Sequence, residues 1–214
     1  MKRLLMPALA VLILALPAAA EIVRIDCIGS VEYNQISSGV FGPVSSGDAV
    51  MATFTVDSDD YVDSTNFGVR SYPIILESFE LTIGSVGPVP LVIPQPDGQT
   101  SYFNLRNADP VADGFFVANN PEFPSSFPAL DVPAQIDPYF GFHWEVGYTG
   151  DTLGSRDILD ALGTYDYTGL TSFYTVIADA FADAMGLEYV SMVISTDSVA
   201  TEAASWSGVK ALFD

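Results

Sequence analysis

Short runs of β-branched and aromatic residues, separated by turn-forming residues, are the feature that most constrains how this chain can fold. From Glu21 to about Gly84 these runs alternate with Gly, Ser, Asn and Asp, a pattern typical of consecutive strands and turns. Strands are predicted over residues 22–28, 49–56, 74–83 and 189–196. The pattern therefore predicts a mostly β protein.

One stretch late in the chain has helical spacing instead. From Phe173 to Met185, apolar residues fall at i, i+3, i+4, i+7, i+8, i+11 and i+12, which predicts one apolar helical face. The sequence therefore predicts a single late amphipathic helix. This helix would be capped by Thr171 or Ser172, would end at Gly186 and would carry Asp179 and Asp183 on its wet side.

Prolines mark two further stretches. Residues 87–98 contain four prolines, and proline has no N–H to donate to a central ladder, so this stretch is predicted to be an edge strand or a loop. Five prolines in residues 119–138 predict a long, extended surface loop. We expect residues 21–214 to form one domain, an antiparallel β-sandwich of jelly-roll type with this loop and the late helix.

The first twenty residues have the three parts of a secretory signal peptide. Lys2 and Arg3 form a basic start, an apolar run extends to Leu16, and small alanines end at Ala20. The apolar run is shorter than the roughly 20 residues needed to cross a bilayer, which favours a cleaved signal over a retained anchor. We expect cleavage near Ala20 and a secreted or periplasmic mature chain without a stable membrane span.

The charge of the chain limits its partners. The sequence has 27 acidic and 7 basic residues and a net charge of −20 at pH 7; cleavage after Ala20 would remove two basic residues and make it −22. Such a surface repels phosphate backbones, which excludes nucleic acid as a partner. The single cysteine, Cys27, cannot form an internal disulfide, so a buried thiol is expected, with intermolecular pairing as the alternative.

Several short motifs resemble a known group of proteins. They are Ile28-Gly29-Ser30-Val31, Ser46-Gly47-Asp48, Phe54-Thr55-Val56-Asp57, the acidic stretch from Asp59 to Ser64, and Ile75 to Gly84. Together they resemble exported bacterial β-sandwich proteins of unknown function, many of which carry a PEP-CTERM sorting tail. The resemblance implies export and an all-β sandwich, and it brings no catalytic residues. Residues 206–214 lack the tail's Pro-Glu-Pro motif and closing membrane span, so tail-dependent sorting is not implied.

An acidic turn after the second predicted strand is the candidate metal site. Asp57, Asp59, Asp60 and Asp63 could offer calcium the carboxylate and carbonyl oxygens that it prefers. The turn is not an EF-hand, because Val62 occupies the position that requires glycine. The alternative interpretation is a turn whose aspartates accept hydrogen bonds from the local backbone. No other cofactor is expected.

The only histidine, His143, lies two residues from Glu145 in a predicted strand. With period two, both side chains share the polar face, while Phe142, Trp144 and Val146 share the other. The pair could be an acid and a base, but the favoured interpretation is an exposed polar strand face. One histidine excludes a multi-histidine zinc site, and no Gly-x-Ser-x-Gly motif is present. No catalytic residue is therefore assigned.

Aromatic residues suggest a second kind of binding. Tyr139, Trp144 and Tyr148 could stack on sugar rings if they were exposed together, whereas the alternative is that they fill the core. The first hypothesis for function is a secreted, non-enzymatic surface, matrix or interaction protein with an extracellular polysaccharide or protein partner. A carbohydrate- or calcium-binding module is the alternative, and a secreted hydrolase is a further one.

Overall fold

The computed structural model describes residues 20–107, 112–179 and 183–196. Residues 1–19 of the predicted signal peptide, residues 180–182 of the predicted helix and the chain end from residue 197 lie outside the described residues. Within them, two short 3-10 helices occur, Leu76–Ser78 and Pro96–Gly98, and no helix is long and apolar enough to span a membrane. The strands are β1 (Ile22–Asn34), β2 (Ala49–Asp57), β3 (Val62–Asp63), β4 (Val69–Pro73), β5 (Glu80–Ile83), β6 (Val86–Val89), β7 (Tyr102–Arg106), β8 (Ala112–Ala118), β9 (Gly141–Thr149), β10 (Gly163–Tyr165), β11 (Leu170–Ala178) and β12 (Ala184–Thr196).

The twelve strands form one antiparallel sheet, which confirms the prediction of a mostly β protein. Their order is β3-β4-β7-β8-β9-β11-β12-β1-β2-β5-β6, and β10 pairs with β12. β4 and β5 lie near opposite ends of this order, yet residues 74–79 alone connect them along the chain. The sheet is therefore curled, and its two ends approach each other where Val56 of β2 bridges Ile74.

The curled sheet encloses an aromatic core. Phe54 of β2 packs against Phe79 and against Phe103 of β7, with ring centroids 6.0 and 5.6 Å apart. Because β2 and β7 lie far apart in the strand order, these contacts close the core and remove large apolar surfaces from water. Cys27 of β1 is a buried free thiol, as predicted, and burial raises its pKa.

Three predicted strands are confirmed, since residues 22–28, 49–56 and 189–196 lie in β1, β2 and β12. The strand predicted over residues 74–83 is only partly right. Ile75 donates its N–H to the carbonyl of Thr55 at 3.0 Å, and the chain then turns through a 3-10 helix before β5 begins. In the proline-rich stretch, β6 lies at the end of the strand order, which confirms an edge strand there.

The predicted late helix is wrong. Thr171 and Ser172 lie inside β11, and Gly186 lies inside β12. Residues 173–177 are consecutive aromatic and β-branched residues, which favour extended backbone, and β9 provides a pairing partner along this stretch. Val176 and Ile177 are adjacent and both buried, so both faces are covered at this end of β11, whereas Phe173 is 39% exposed. Apolar residues on both faces of the strand produced the i+3 and i+4 spacing that predicted a helix.

Residues 119–138, the proline-rich loop, contain no helix or strand. The part up to Phe127 lies over the outer face of the sheet, the face opposite the aromatic core, whereas Leu130 and Val132 pack into that core. Ser71 of β4 donates a hydrogen bond to the carbonyl of Pro121 at 2.6 Å, and Phe127 stacks on His143 of β9. Gln95 holds Ala129 by accepting its N–H at 2.8 Å. The loop therefore contacts β4 and covers a polar side chain of β9.

Candidate functional site

His143 and Glu145 are neighbours on the outer face of β9, as the alternation of this strand predicts. Phe142 and Trp144 alternate with them and are completely buried in the core. Nε2 of His143 lies 3.7 Å from Oε2 of Glu145. The structure therefore confirms the relative position of the two polar side chains.

The predicted exposure of His143 is wrong, because its side chain is covered and only 3% of the residue is exposed. The ring of Phe127 stacks on the imidazole with centroids 4.3 Å apart and an interplanar angle of 15°. Tyr174 of β11 packs against it edge-on at 5.0 Å. Strand alternation predicts which face a residue occupies, but it cannot predict that a loop covers that face.

Burial also determines the charge of His143. Among the described residues, neither ring nitrogen has a hydrogen-bond partner, and burial lowers the pKa of the imidazole to about 4. His143 is therefore neutral near pH 7. Its pKa is also well below the working pH, whereas an efficient general base has a pKa close to that pH. Its main contact is aromatic: it supports the ring of Phe127.

Arg106 of β7 balances the charge of Glu145. Nη2 of Arg106 lies 3.2 Å from Oε1 of Glu145, and both side chains are about one-fifth exposed. Between them, Gly114 of β8 pairs with Arg106 on one side and with Gly147 of β9 on the other. A Cβ at Gly147 would lie 3.9 Å from Nη2 of Arg106 and 2.7 Å from Oγ of Ser172. The guanidinium crosses β8 to reach Glu145, with its central carbon 5.8 Å from the centre of the Phe116 ring.

A cleft with a volume of about 190 Å³ opens beside Phe127, between the proline-rich loop and the ends of β9 and β11. Its floor consists of two small residues, Gly141 of β9 and Ala178 of β11, which pair with each other. Its volume is below the about 300–1,000 Å³ of pockets for drug-sized ligands, so it suits one ring or one head group. The residues that line this cleft are Phe127, Ala129, Asp137, Tyr139, Gly141 and Ala178.

The aromatic wall of the cleft is fixed in position. His143 stacks on the ring of Phe127, and Gly141 allows the Cβ of Phe127 to approach the backbone of β9. A Cβ at position 141 would lie only 3.2 Å from the Cβ of Phe127. Asn119 donates from Nδ2 to the carbonyl of Phe127 at 3.1 Å. Because this wall is already ordered, the protein loses less conformational entropy when a ligand binds.

Asp179, directly after β11, holds the opposite side of the cleft. Its Oδ2 accepts the N–H groups of Gln135 and Ile136, and its Oδ1 accepts that of Asp137, each at 2.8 Å. Burial raises the pKa of this carboxyl, but the three backbone hydrogen bonds outweigh burial and lower it overall. Asp179 was predicted on the wet side of a helix; it is instead 1% exposed and positions the segment that carries Asp137 and Tyr139.

The predicted calcium ligands lie at the end of β2 (Asp57), in the turn that follows (Asp59 and Asp60) and in β3 (Asp63). Asp57 accepts the N–H of Asp59 with Oδ1 at 2.9 Å, and the carbonyl of Asp57 accepts the N–H of Asp60 at 3.3 Å. Asp63 forms two hydrogen bonds with Arg70, at 2.8 and 3.0 Å, which lower the pKa of Asp63. Within the described residues, no three His, Cys, Asp or Glu side chains are arranged to hold a metal ion. Calcium binding at this turn stays a prediction.

The three predicted sugar-stacking residues are not together on the surface. Trp144 is completely buried and Tyr148 is 1% exposed. Tyr148 and Tyr189 share a hydrogen bond between their hydroxyls at 2.7 Å, and Trp144 packs edge-on against Tyr189 at 5.6 Å. These rings fill the core, and Tyr139 alone stands at the cleft.

A second cleft, of about 440 Å³, lies beside Asp63 but is built differently. Its two arginines are already paired, since Arg70 lies 2.8 Å from Asp63 and 4.0 Å from Asp157, and Arg156 lies 3.6 Å from Asp63. None of its seven lining residues is aromatic. The cleft beside Phe127 is therefore the better candidate for a binding site. The second cleft is lined by Arg70, Asn107, Gly154, Ser155, Arg156, Asp157 and Asp160.

Sequence reasoning found Tyr139 but missed Phe127, Asp137 and Asp179. A glycine inside a strand is a signal of close backbone approach, and Gly141 carries that signal at the floor of the cleft. Nothing in the sequence pairs residues 135–137 with Asp179, more than forty positions away.

Comparison with known proteins adds no family to this description. No family model, curated protein or solved structure matches the chain. The geometry of the cleft is therefore the basis on which a function is proposed.

Proposed function

We propose that this chain is an exported, non-enzymatic interaction protein of the cell surface or extracellular matrix. We further propose that it binds its partner at the cleft on the outer face of the sheet. The observation that carries this proposal is the cleft itself, which the half-buried residues Phe127 and Tyr139 line together with the paired residues Gly141 and Ala178. Pre-positioned aromatic rings on a rigid scaffold provide most of the binding energy in many interfaces.

The surroundings of His143 and Glu145 favour binding over hydrolysis. A neutral, covered imidazole with a pKa of about 4 is poorly suited to accept a proton near pH 7. A glycoside hydrolase requires two carboxyl groups placed on either side of the bond to be cleaved, whereas Glu145 is paired with the guanidinium of Arg106 at 3.2 Å. Both groups therefore support a structural role on the outer face.

Export is the part of the proposal that rests on the sequence. The basic start, apolar run and terminal alanines of residues 1–20 support cleavage after Ala20, and the resemblance of residues 22–84 to exported β-sandwich proteins supports the same location. Expression in a bacterial host, followed by fractionation and amino-terminal sequencing, tests it. We expect an extracytoplasmic product that begins at Glu21; an intact chain that begins at Met1 in the cytosol would contradict export.

The curled sheet also supports a sandwich architecture. We propose that its two halves form the facing layers of a single-domain β-sandwich. Phe54 of β2 contacts Phe103 of β7 across the core, as two facing layers require.

Binding at the cleft is tested by comparing two tyrosine variants. The wild-type mature chain, Tyr139→Ala and Tyr61→Ala would be applied to a glycan array and to intact bacterial cells. Tyr61 is 43% exposed and contacts Arg70 outside the cleft, so it is a matched control. We expect binding that Tyr139→Ala removes and Tyr61→Ala retains. Binding that is equal in all three proteins, or release of hydrolysis products from the glycans, would overturn the proposal.

A further inference from the structure

We propose that the cleft beside Phe127 binds an alkylammonium head group, that is, a positively charged nitrogen that carries methyl or methylene groups. This inference rests on the proposed function, because it names the ligand class of the same cleft. It joins two independent features of the cleft, aromatic walls and one carboxylate.

The walls suit a cation that is apolar on its outside. Two of the six lining residues, Phe127 and Tyr139, are aromatic, and both are half-buried. The face of an aromatic ring is negative, so it attracts an ammonium group, and the attraction is stronger when the group is desolvated. The floor of Gly141 and Ala178 leaves space for methyl groups and offers no side-chain hydrogen bonds.

The charge at the cleft has the matching sign. Asp137 is one of the six lining residues, and none of those six is basic. Asp137 keeps its carboxylate available, because its contact with Asp179 is made through the backbone N–H. The chain as a whole carries a net charge of −20, which raises the local concentration of cations and disfavours anions.

Other ligand classes match the cleft less well. Calcium takes six to eight oxygen ligands, whereas the side chains at this cleft provide the oxygens of Asp137 and Tyr139 only. A sugar ring could stack on Tyr139, but its several hydroxyls would find few side-chain partners here. An alkylammonium group requires neither a full oxygen shell nor many hydrogen bonds.

The test compares choline with 3,3-dimethylbutan-1-ol, its neutral carbon analogue of the same shape. Each compound would be titrated into the 15N-labelled mature chain at low salt, with amide shifts recorded by NMR. We expect saturable shifts at residues 127, 137, 139, 141 and 178 with choline, and affinity for the neutral analogue at least about tenfold weaker. Phosphatidylcholine vesicles form a third arm: co-sedimentation that free choline displaces would assign the head group to a lipid, and binding of free choline alone would assign it to a soluble compound.

Matched variants separate the two features of the cleft. Tyr139→Ala should weaken choline binding about fivefold or more, whereas Tyr139→Phe should stay within about twofold because the ring is kept. Asp137→Asn should weaken it about threefold at low salt and less at high salt, because it removes the charge but retains the backbone N–H to Asp179. Asp131→Asn, an exposed carboxylate of the same loop that does not line the cleft, is the control and should have no effect.

The outcomes distinguish this inference from the proposed function. Equal binding of choline and its neutral analogue would overturn the cationic ligand but leave a binding cleft. No binding of either compound would also overturn the inference; the proposed function would then stand if Tyr139→Ala still removed binding to glycans or cells. Binding of choline that Tyr139→Ala and Asp137→Asn both leave unchanged would place the ligand elsewhere and overturn the inference.

Discussion

His143 shows how a polar residue can serve as an aromatic support. It is the only histidine of the chain, and its position beside Glu145 resembles an acid and base pair in the sequence. In the structure it lies between Phe127 and Tyr174 with an imidazole that stays neutral near pH 7. Within the part of the chain that the structure describes, neither ring nitrogen is hydrogen-bonded, so the imidazole acts as a stacked ring, and phenylalanine can stack in the same way.

His143→Phe is therefore expected to change the free energy of unfolding by less than about 1.5 kcal/mol at pH 7, because the ring and its stack on Phe127 are kept. His143→Ala should cost about 2–4 kcal/mol, because it removes the support and leaves a cavity. Urea unfolding of the three proteins measures both differences. Equal losses in the two variants would show that the imidazole nitrogens, rather than the ring, matter for stability.

The same residue should make stability depend on pH. The unfolded imidazole takes up a proton near pH 6.5, whereas the folded one does so only near pH 4, so acidification favours the unfolded chain between these values. His143 should account for a loss of about 3 kcal/mol between pH 7 and pH 4, a loss absent from His143→Phe. Parallel pH profiles of unfolding for the wild type and His143→Phe would contradict this assignment.

At the scale of the elements, sequence reasoning succeeded for β1 and β2 and failed for β11. β1 and β2 were predicted because their β-branched runs end at clear turn residues. β11 was predicted as a helix because Val176 and Ile177 are buried on both faces of the sheet, which removes the alternation of a half-buried strand. This wrong prediction is also why the cleft was not predicted, since its floor forms where Ala178 of β11 pairs with Gly141 of β9.

Asp179 connects β11 to the proline-rich loop, and its removal should loosen the cleft. Asp179→Asn replaces one accepting carboxylate oxygen with an NH2 group, which can only donate, so we expect a loss of about 2 kcal/mol or more in stability. Thermal unfolding and hydrogen exchange of residues 135–137 measure the effect. Asp183→Asn is the control: Asp183 accepts one exposed side-chain hydrogen bond from Gln135, so a loss below about 1 kcal/mol is expected.

The pKa of Asp179 gives this prediction a pH dependence. Because its folded pKa is lowered, the carboxylate stabilises the fold above its ordinary pKa of about 3.9, and this stabilisation disappears as pH falls through the lowered value. The gap in stability between the wild type and Asp179→Asn should therefore be full at pH 7 and narrow in strong acid. A gap that widens on acidification would contradict the role of the charge.

At the scale of the whole molecule, the excess of acidic residues has a cost. The described ion pairs are few, among them Arg24–Asp26, Arg70–Asp63 and Arg106–Glu145, so most of the negative charge repels itself. Raising sodium chloride from about 0.01 to about 1 M shortens the Debye length from about 30 to about 3 Å. We expect the melting temperature to rise by several degrees. A melting temperature that falls with salt would show that ion pairs outweigh repulsion.

β9, β11 and the proline-rich loop together build a cleft on the outer face of a curled sheet, and every binding proposal for this protein depends on that arrangement. Cross-strand nuclear Overhauser effects in the 15N,13C-labelled mature chain test it most directly. The structure predicts contacts between the backbones of Gly141 and Ala178 and between the rings of Phe127 and His143. Helical i to i+3 contacts through residues 171–178, without the Gly141–Ala178 contact, would contradict it.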